Sequence, residues 1–291
     1  MAMTVVVNPV AGHNRGQRAG EAVSRLLAQR GIPHTCVYTE HPGHATELAR
    51  AAVAGGASVV ASVGGDGTLH EVVNGLVGGR ATLGVVSCGT GNDFARTLGL
   101  PVDPLHALEV VLSGVRRRLD LGRVNDRYFI NVAGVGFDAE ACVRVNRYSK
   151  RITGKLPYLA AVLATLASYR CAPAELVIDG VPMQADVFLV SVGNGKYYGS
   201  AMMMCPGAEM DDGLLDVVVG DGVGRLEALR LLPKVYSGTH VSHRKVKVYR
   251  AKEISVRPQS PLSVQADGEV IGRTPAVFSV APGALDVLCP R

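Results

Sequence analysis

At residues 57–68 the sequence reads Ala-Ser-Val-Val-Ala-Ser-Val-Gly-Gly-Asp-Gly-Thr, a pattern that predicts a buried strand ending in a glycine-rich loop. The apolar residues that follow at positions 69, 72, 73 and 76 are spaced as on the buried face of a helix. Glycines between a strand and a helix let backbone N–H groups approach a phosphate, and the helix N-terminus favours the same anion. An acid in such a loop, Asp66, repels phosphate unless a cation or a proton donor mediates. The stretch therefore predicts nucleotide-phosphate chemistry.

Strand-like and helix-like segments alternate through the first hundred residues. Short β-rich runs occur at 4–7, 34–38, 58–63 and 82–86, and apolar residues at helical spacing lie between them at 19–27 and 45–53. This alternation predicts a doubly wound, mostly parallel sheet with helices on both faces. Ligands bind such sheets at the carboxyl ends of the strands. The segments expected at that edge are 8–12, 39–44, 64–68 and 88–96.

The second half of the chain has a different pattern. Beyond about residue 118, strand-like runs are separated by Asp-Gly turn signals at 179–180, 212–213 and 267–268. Helical candidates interrupt them near 137–147, 155–169 and 225–237. We therefore predict two domains with a cleft between them: a nucleotide-binding α/β domain at 1–120, and a mainly antiparallel β domain at 121–291, whose last strand is a candidate to return to the first.

The composition narrows the class of protein. The chain has 291 residues, 47% hydrophobic and only 5% aromatic, with no Trp, which argues against nucleic-acid binding on stacking platforms. The net charge of +5 is mild, and the six cysteines are scattered singly, as in a cytoplasmic protein with reduced thiols. The N-terminus does not read as a secretory leader. The longest charge-free stretch, 156–169, is shorter than the roughly 20 residues that span a bilayer.

The ordered set of motifs resembles the diacylglycerol kinase catalytic family, which includes bacterial lipid kinases and the sphingosine and ceramide kinases. The loop at 64–68 alone is shared with NAD kinases and phosphofructokinases, whereas the segment at 89–96 and the C-terminal elements favour the lipid kinases. The matching elements are Asn8-Pro9-x-x-Gly12, Thr39 with Gly43-His44-Ala45, residues 64–75, residues 89–96, Asn131-x-x-Gly134-x-Gly136-Phe137-Asp138, residues 211–216 and Asp267-Gly268-Glu269. The resemblance implies a fold like that of NAD and diacylglycerol kinases, and ATP-dependent transfer of the γ-phosphate to a hydroxyl of diacylglycerol or a related lipid.

The resemblance also implies an ATP site in the first domain. His70 departs from the family pattern there, because relatives often carry Asn at that position. Asp66 is assigned a catalytic role, and with Asp93 and Asp120 it would belong to a network of Mg2+, water and aspartate. The implied ATP-binding residues are Asn8, Pro9, Gly12, Thr39, Gly64, Gly65, Asp66, Gly67, Thr68, Leu69, His70, Thr90 and Asp93.

Two elements of the second domain complete the implied site. Residues 209–214 resemble the family's structural magnesium site, with ligands from Glu209, Asp212 and Leu214, or from Asp211 in a register shifted by one; the alternative is a plain Asp-Gly hairpin turn. Asp267-Gly268 is a strong hairpin signal that puts Glu269 at the start of the returning strand. Pattern alone favours a solvated glutamate, whereas the resemblance makes Glu269 the general base.

A lipid acceptor requires contact with a membrane surface. One candidate is the segment at 144–166, in which a basic stretch precedes an apolar helix, although a core helix with a solvated basic approach fits the same pattern. A second basic run lies at 243–247. The basic residues are Arg144, Arg147, Lys150, Arg151 and Lys155 in the first stretch, and His243, Arg244, Lys245 and Lys247 in the second.

The preferred hypothesis is thus a cytoplasmic, peripherally membrane-associated lipid kinase that uses ATP and Mg2+. We expect a lipid acceptor, no nucleic-acid partner, and a homodimer as one candidate assembly. The alternatives are an NAD-kinase-like small-molecule kinase and a non-catalytic nucleotide or lipid sensor.

Overall fold

The computed structural model of the chain describes residues 2–149 and 155–291, without the side chains of residues 146–149 and 155–159. The chain divides into two units. The first consists of Met1–Leu121 with Ala281–Arg291, and the second of Gly122–Val280. The chain therefore leaves the first unit once and returns to it with its last residues.

The first unit is built on a parallel sheet with helices between its strands. The strands are β1 (Met3–Val7), β2 (His34–Tyr38), β3 (Val59–Gly64) and β4 (Thr82–Ser87), in the order β2-β1-β3-β4. The helices are α1 (Ala11–Gln29), α2 (His44–Ala54), α3 (Asp66–Leu76), α4 (Asp93–Thr97) and α5 (Pro104–Ser113). The parallel α/β architecture predicted from the sequence is confirmed.

The core of this unit explains the long apolar runs of its strands. Strands β3 and β4 are buried along their whole length, as expected for central parallel strands covered on both faces. From α1, Val23 and Leu27 are fully buried and belong to the same cluster as Val5 and Val7 of β1. Gly20 permits this packing, because a Cβ there would lie 2.7 Å from Val7 Cγ1.

The second unit is an antiparallel β structure. The remaining strands of the chain are β5 (Val115–Val124), β6 (Arg127–Phe129), β7 (Val132–Gly136), β8 (Ala172–Ile178), β9 (Val181–Gly193), β10 (Tyr197–Tyr198), β11 (Met202–Met203), β12 (Leu215–Asp221), β13 (Val246–Ala251), β14 (Glu253–Pro258), β15 (Ser263–Ala266), β16 (Glu269–Arg273) and β17 (Ala276–Cys289). The order in the sheet is β16-β15-β7-β9-β8-β14-β17. In addition, β12 pairs with β9 and β13, β6 pairs with β5, and β10 pairs with β11. Strands β5 and β17 run across the division between the units. The C-terminal part of β17 pairs in parallel with β4, at Val287 and Leu83.

The helices of the second unit match the sequence prediction. They are α6 (Phe137–Ser149), α7 (Lys155–Ser168) and α8 (Arg225–Tyr236), and a short 3-10 helix, Thr239–Ser242, follows α8. The main core of the unit lies on the sheet, where Phe129, Leu176, Ile254 and Phe278 are fully buried. Among the described residues, no helix is both long enough and apolar enough to span a membrane.

Candidate active site

The glycine-rich loops of the first unit leave one edge of its sheet. The N–H of Asn8 donates to Val63 O (2.9 Å), that of Thr39 to Val7 O (2.9 Å) and that of Cys88 to Gly64 O (2.8 Å). These bonds extend the parallel ladder past the strand ends. The loops that follow β1, β2, β3 and β4 therefore begin side by side.

The third and fourth loops touch through their backbones. A Cβ on Gly89 would lie 2.7 Å from Gly65 Cα, and a Cβ on Gly65 would lie 3.3 Å from Gly89 Cα. The first loop approaches the fourth equally closely, since a Cβ on Gly12 would lie 1.9 Å from Cys88 O. A side chain at Gly12 or Gly89 would overlap the neighbouring backbone, which explains why the motif has glycine at these two positions.

The first loop has an unusual backbone. Gly12, His13 and Asn14 all have left-handed dihedrals, with φ of 59°, 60° and 65°. Such a run is costly for His13 and acceptable for Asn14 and Gly12. Arg15 follows directly, and its guanidinium donates from Nε to Gly12 O (2.8 Å) and from Nη2 to Gly89 O (2.9 Å).

Arg15 is a candidate functional residue that the sequence analysis missed. Its exposed guanidinium bridges two of the glycine-rich loops and brings a positive charge to the edge where a phosphate is expected. No local sequence pattern indicates this role for Arg15, because one of its two partners, Gly89, lies 74 residues away in the chain.

Asp66 and Asp93 lie together, as their motifs predicted. Asp66 is the first residue of α3, so the loop predicted at 64–68 is shorter in the structure. Asp66 Oδ1 accepts the N–H of Asp93 at 2.8 Å and that of Phe94 at 3.5 Å, which joins the start of α3 to the segment after β4. Burial raises the pKa of Asp66 to about 6, and the Asp93 carboxylate adds to the rise while the backbone N–H groups oppose it. Asp66 is thus a carboxylate held in a fixed position with a pKa near neutrality, which suits a group that handles a proton or a cation.

Asn8 and Thr68 join the first loop to α3. Asn8 Nδ2 donates to Thr68 Oγ1 at 2.9 Å, and Asn8 Oδ1 accepts the N–H of Val10 at 3.2 Å. Gly64 leaves room for Thr68, whose side chain would lie 2.6 Å from a Cβ on Gly64.

The remaining predicted ATP residues differ in their accessibility. Thr90 and Gly67 are exposed, while Pro9 and Thr39 are half-buried. Leu69 and His70 are 3% and 4% exposed, so both point into the unit. Asn74 Nδ2 donates to His70 O at 2.9 Å.

Glu71 and Asp120 bond to backbone groups. The Glu71 carboxylate accepts the N–H groups of Gly43 (2.8 Å) and Ala45 (3.1 Å), which caps α2 and fixes the loop after β2. Asp120 Oδ1 accepts the N–H of Gly283 at 2.6 Å. These contacts give both acids a structural role.

In the second unit, Glu269 lies on a firmly held hairpin. It is the first residue of β16 and is exposed. The carboxylate of Asp267 accepts the N–H groups of Ile130 and Asn131, each at 2.8 Å, and that of Val132 at 3.2 Å. This contact anchors the turn directly before Glu269.

A buried polar chain supports the same turn from inside. Gln265, fully buried, accepts the N–H of Gly268 at 2.9 Å through Oε1 and donates to Asp138 Oδ2 at 3.1 Å through Nε2. Burial raises the pKa of Asp138 to about 7, and the hydrogen bond from Gln265 opposes the rise. The sequence analysis assigned no role to either residue, since they are 127 positions apart.

The predicted metal ligands form an acidic cluster. Asp212 Oδ1 accepts the N–H of Leu214 at 2.9 Å, and Oδ2 pairs with Arg250, whose Nε lies 3.8 Å from Asp216 Oδ2. Burial raises the pKa of Asp216 to about 6; Arg250 opposes the rise, and the charges of Asp212 and Glu209 add to it. The carboxylates of Glu209, Asp212 and Asp216 interact electrostatically, and such a group of oxygen ligands suits a hard divalent cation. Asp216 is thus a further candidate ligand beside the predicted ones. In this arrangement both oxygens of Asp212 already have partners, the N–H of Leu214 at Oδ1 and Arg250 at Oδ2.

His41, His44 and Glu47 lie close enough to share a metal ion, with one potential ligand atom of each within 4.8 Å of the others. However, His44 Nδ1 accepts the N–H of Glu40 at 3.1 Å. That bond occupies the Nδ1 lone pair and leaves the proton of the neutral ring on Nε2, so His44 has no nitrogen free for a metal.

The described residues of the two basic runs make several contacts of their own. Lys245 pairs with Glu227 (2.6 Å) and Lys247 with Asp221 (3.0 Å), so half of the second run is neutralised. In the first run, Arg144 Nη2 lies 3.4 Å from Ser168 Oγ. The other predicted basic side chains of that run, Arg147, Lys150, Arg151 and Lys155, lie outside the described part of the structure.

Glycine-rich loops at one edge of a parallel α/β sheet, followed by an antiparallel β unit, are the arrangement that the resemblance to NAD and diacylglycerol kinases predicts. Comparison with known proteins makes the resemblance specific: the family model described as "Diacylglycerol kinase catalytic domain" matches residues 2–124, and the "YegS C-terminal NAD kinase beta sandwich-like domain" matches residues 131–289. The chain belongs to the diacylglycerol kinase family and is a lipid kinase.

Individual relatives agree over nearly the whole chain. A diacylglycerol kinase of Mycobacterium tuberculosis is 36% identical, covering 99% of this chain and 95% of the relative. One from Bacillus subtilis is 31% identical, covering 99% and 96%. The crystal structure of a putative diacylglycerol kinase from Bacillus anthracis superposes with a TM-score of 0.81 at 25% identity, covering 99% of this chain and 96% of that one.

The raised pKa of Asp138 predicts a pH-dependent stability that Asp138→Asn removes. The pKa is about 7 in the fold and about 3.9 in an unfolded chain, so the native state retains a proton that the unfolded state has lost. The stabilising contribution is complete below about pH 4 and is lost as the pH rises to 7. The unfolding free energy of the wild type minus that of the variant should fall by about 1.4 kcal/mol per pH unit across this window.

Urea unfolding at several pH values measures this difference. Asp126→Asn is the matched control, because the Asp126 side chain is 99% exposed, and its difference from the wild type should stay flat. Parallel stability profiles for the wild type and Asp138→Asn would contradict the assignment.

Proposed function

We propose that the protein transfers the γ-phosphate of ATP to a hydroxyl of diacylglycerol or a related lipid, with Glu269 as the general base and Mg2+ as the cofactor. The observation that carries the proposal is the set of touching glycine-rich loops at one edge of a parallel sheet, in a chain that belongs to a lipid kinase family. Catalysis of phosphoryl transfer consists mainly of positioning and of charge stabilisation, and both are features of these loops.

The loops of the first unit are suited to hold the phosphates of the donor. Gly65 and Gly89 have no side chains that would cover the backbone at this edge, and α3 begins at Asp66, directly after Gly65. The Arg15 guanidinium adds a positive charge beside Gly89. We assign the ATP site to this edge, with Asn8 and Thr68 fixing its first and third loops relative to one another.

Glu269 fits the requirements of a base for the acceptor. Its side chain is exposed and therefore accessible to a lipid hydroxyl, and its backbone is fixed by the contacts of Asp267 and Gln265. The hydroxyl oxygen forms a bond to the γ-phosphorus, the bond from that phosphorus to the β–γ bridging oxygen breaks, and ADP leaves. The hydroxyl proton passes to the Glu269 carboxylate.

Two sets of acids are candidates to hold Mg2+. Asp66 and Asp93 lie at the phosphate edge, and Glu209, Asp212, the carbonyl of Leu214 and the buried Asp216 form the second set. Magnesium bound at the phosphates would neutralise charge on the transferred group. At the second set, a cation that binds Asp212 would replace Arg250 as the partner of its carboxylate. We infer that Mg2+ bound there has a structural role.

The acceptor is best tested with radiolabelled ATP and a panel of diacylglycerol, phosphatidylglycerol, sphingosine, ceramide and NAD. We expect label transfer to diacylglycerol or to another of the lipids in the presence of Mg2+, and loss of transfer when EDTA removes the metal. Transfer to NAD alone would contradict the proposal in favour of an NAD-kinase-like enzyme. Nucleotide binding without transfer to any acceptor would favour a sensor.

Replacement of Glu269 tests the general base. Glu269→Gln should lower turnover by about 10²- to 10⁴-fold, because the amide cannot accept the hydroxyl proton, while the dissociation constant for ATP stays within about two-fold. Glu253→Gln, a change of the same kind at another exposed glutamate of the second unit, is the control and should retain activity. Wild-type turnover of Glu269→Gln would exclude Glu269 as the base.

A further inference from the structure

Helix α8 (Arg225–Tyr236) has apolar residues on two opposite faces. Its inner face packs into the second unit through Ala228, Leu231 and Val235, each at most 9% exposed. Its outer face carries Leu226, Leu229, Pro233 and Tyr236, which follow one another at helical spacings of three, four and three residues and so form one stripe.

This outer stripe is highly exposed. Leu226 is 72% exposed, Tyr236 54% and Leu229 47%, and Pro233 is also exposed. The outer face of a helix on a globular protein is ordinarily polar. Exposed apolar side chains in a row therefore indicate a surface that contacts something apolar.

Cations flank the stripe on both sides. Arg225 lies on one side, and Arg230 and Lys234 lie on the other. Within the described part of the chain neither Arg230 nor Lys234 takes part in a salt bridge. Arg225 Nε donates to the carbonyl oxygen Tyr169 O at 3.3 Å, which leaves the charge of Arg225 without an acidic partner among the described residues. The single acid of the helix, Glu227, is held by Lys245 Nζ at 2.6 Å, a contact that lowers the pKa of Glu227.

We propose that the outer face of α8, defined by Leu226, Leu229, Pro233 and Tyr236 with Arg225, Arg230 and Lys234, docks the protein on an anionic bilayer surface. An apolar stripe with basic margins matches the acyl boundary and the negative headgroups of such a surface. A second copy of the chain is a poorer occupant, since two copies of the stripe would bring like charges together. None of these α8 residues belongs to the segment at 144–166.

The proposal adds a membrane partner to the function inferred above and gains its purpose from a lipid acceptor, but its test does not need catalysis. Co-sedimentation with vesicles measures docking without nucleotide or turnover. Vesicles of phosphatidylcholine alone and of phosphatidylcholine with phosphatidylglycerol separate apolar contact from charge.

The decisive variant is Leu226→Glu with Leu229→Glu. We expect the wild type to bind the anionic vesicles and the double variant to bind them at least about ten-fold more weakly. Val181→Glu is its control, because Val181 is 67% exposed on the same unit but lies outside α8. Arg230→Glu should weaken binding by about five-fold or more, whereas Arg127→Glu, an equal change of charge at another exposed arginine of the unit, should not.

Two further readouts separate this proposal from the proposed function. Circular dichroism should show the wild-type fold for each variant, and activity toward an acceptor dispersed in detergent micelles should persist in the leucine double variant. Equal binding of the double variant and the wild type to anionic vesicles would overturn the proposal. Conversion of a wild-type dimer into a monomer by the double variant, with vesicle binding unchanged, would overturn it in favour of self-association.

Discussion

The contact between Gly65 and Gly89 is the constraint on which the arrangement of the first unit's loops depends. Because the backbones of the two glycines are in contact, Asp66 at the start of α3 can bond to the N–H of Asp93. For the same reason Arg15 can reach Gly89 O from the loop after β1. A Cβ at position 89 would lie only 2.7 Å from Gly65 Cα and would push these loops apart, because protein interiors do not absorb such an overlap without displacement. Three loops from three strands thus form one continuous edge.

The same contact explains how Asp66 is held beside the glycine-rich loops. Asp66 does not point freely toward the expected phosphate, because one of its oxygens accepts backbone N–H groups of the fourth loop. Burial and Asp93 keep its pKa raised to about 6, so its ionisation responds to nearby charge. A cation or proton donor at this edge would interact with a carboxylate that is already in place.

Sequence patterns were sufficient for many of the elements and insufficient for many of their long-range contacts. The strands around residue 60 and helices α6 to α8 could be predicted from apolar spacing. The parallel direction of the strands in the first unit could be predicted from the alternation of strand and helix segments. Helix α5 was missed although its start carries a readable signal, Asp103 before Pro104, in which Asp103 accepts the N–H groups of Leu105 and His106. By contrast, Glu71 capping α2, Gln265 joining Gly268 to Asp138, and Lys245 pairing with Glu227 link positions that no local pattern connects.

If contact between glycine backbones shapes the proposed ATP site, the affinity for ATP depends on Gly89. The most direct measurement is the dissociation constant for ATP, by calorimetry, of the wild type, Gly89→Ala and Gly220→Ala. A Cβ at position 220 would make only ordinary contacts, the nearest at 3.5 Å. We expect folded Gly89→Ala to bind ATP at least about ten-fold more weakly, and Gly220→Ala to bind it nearly as well as the wild type. Wild-type affinity in Gly89→Ala would show that the contact between Gly65 and Gly89 does not shape the ATP site.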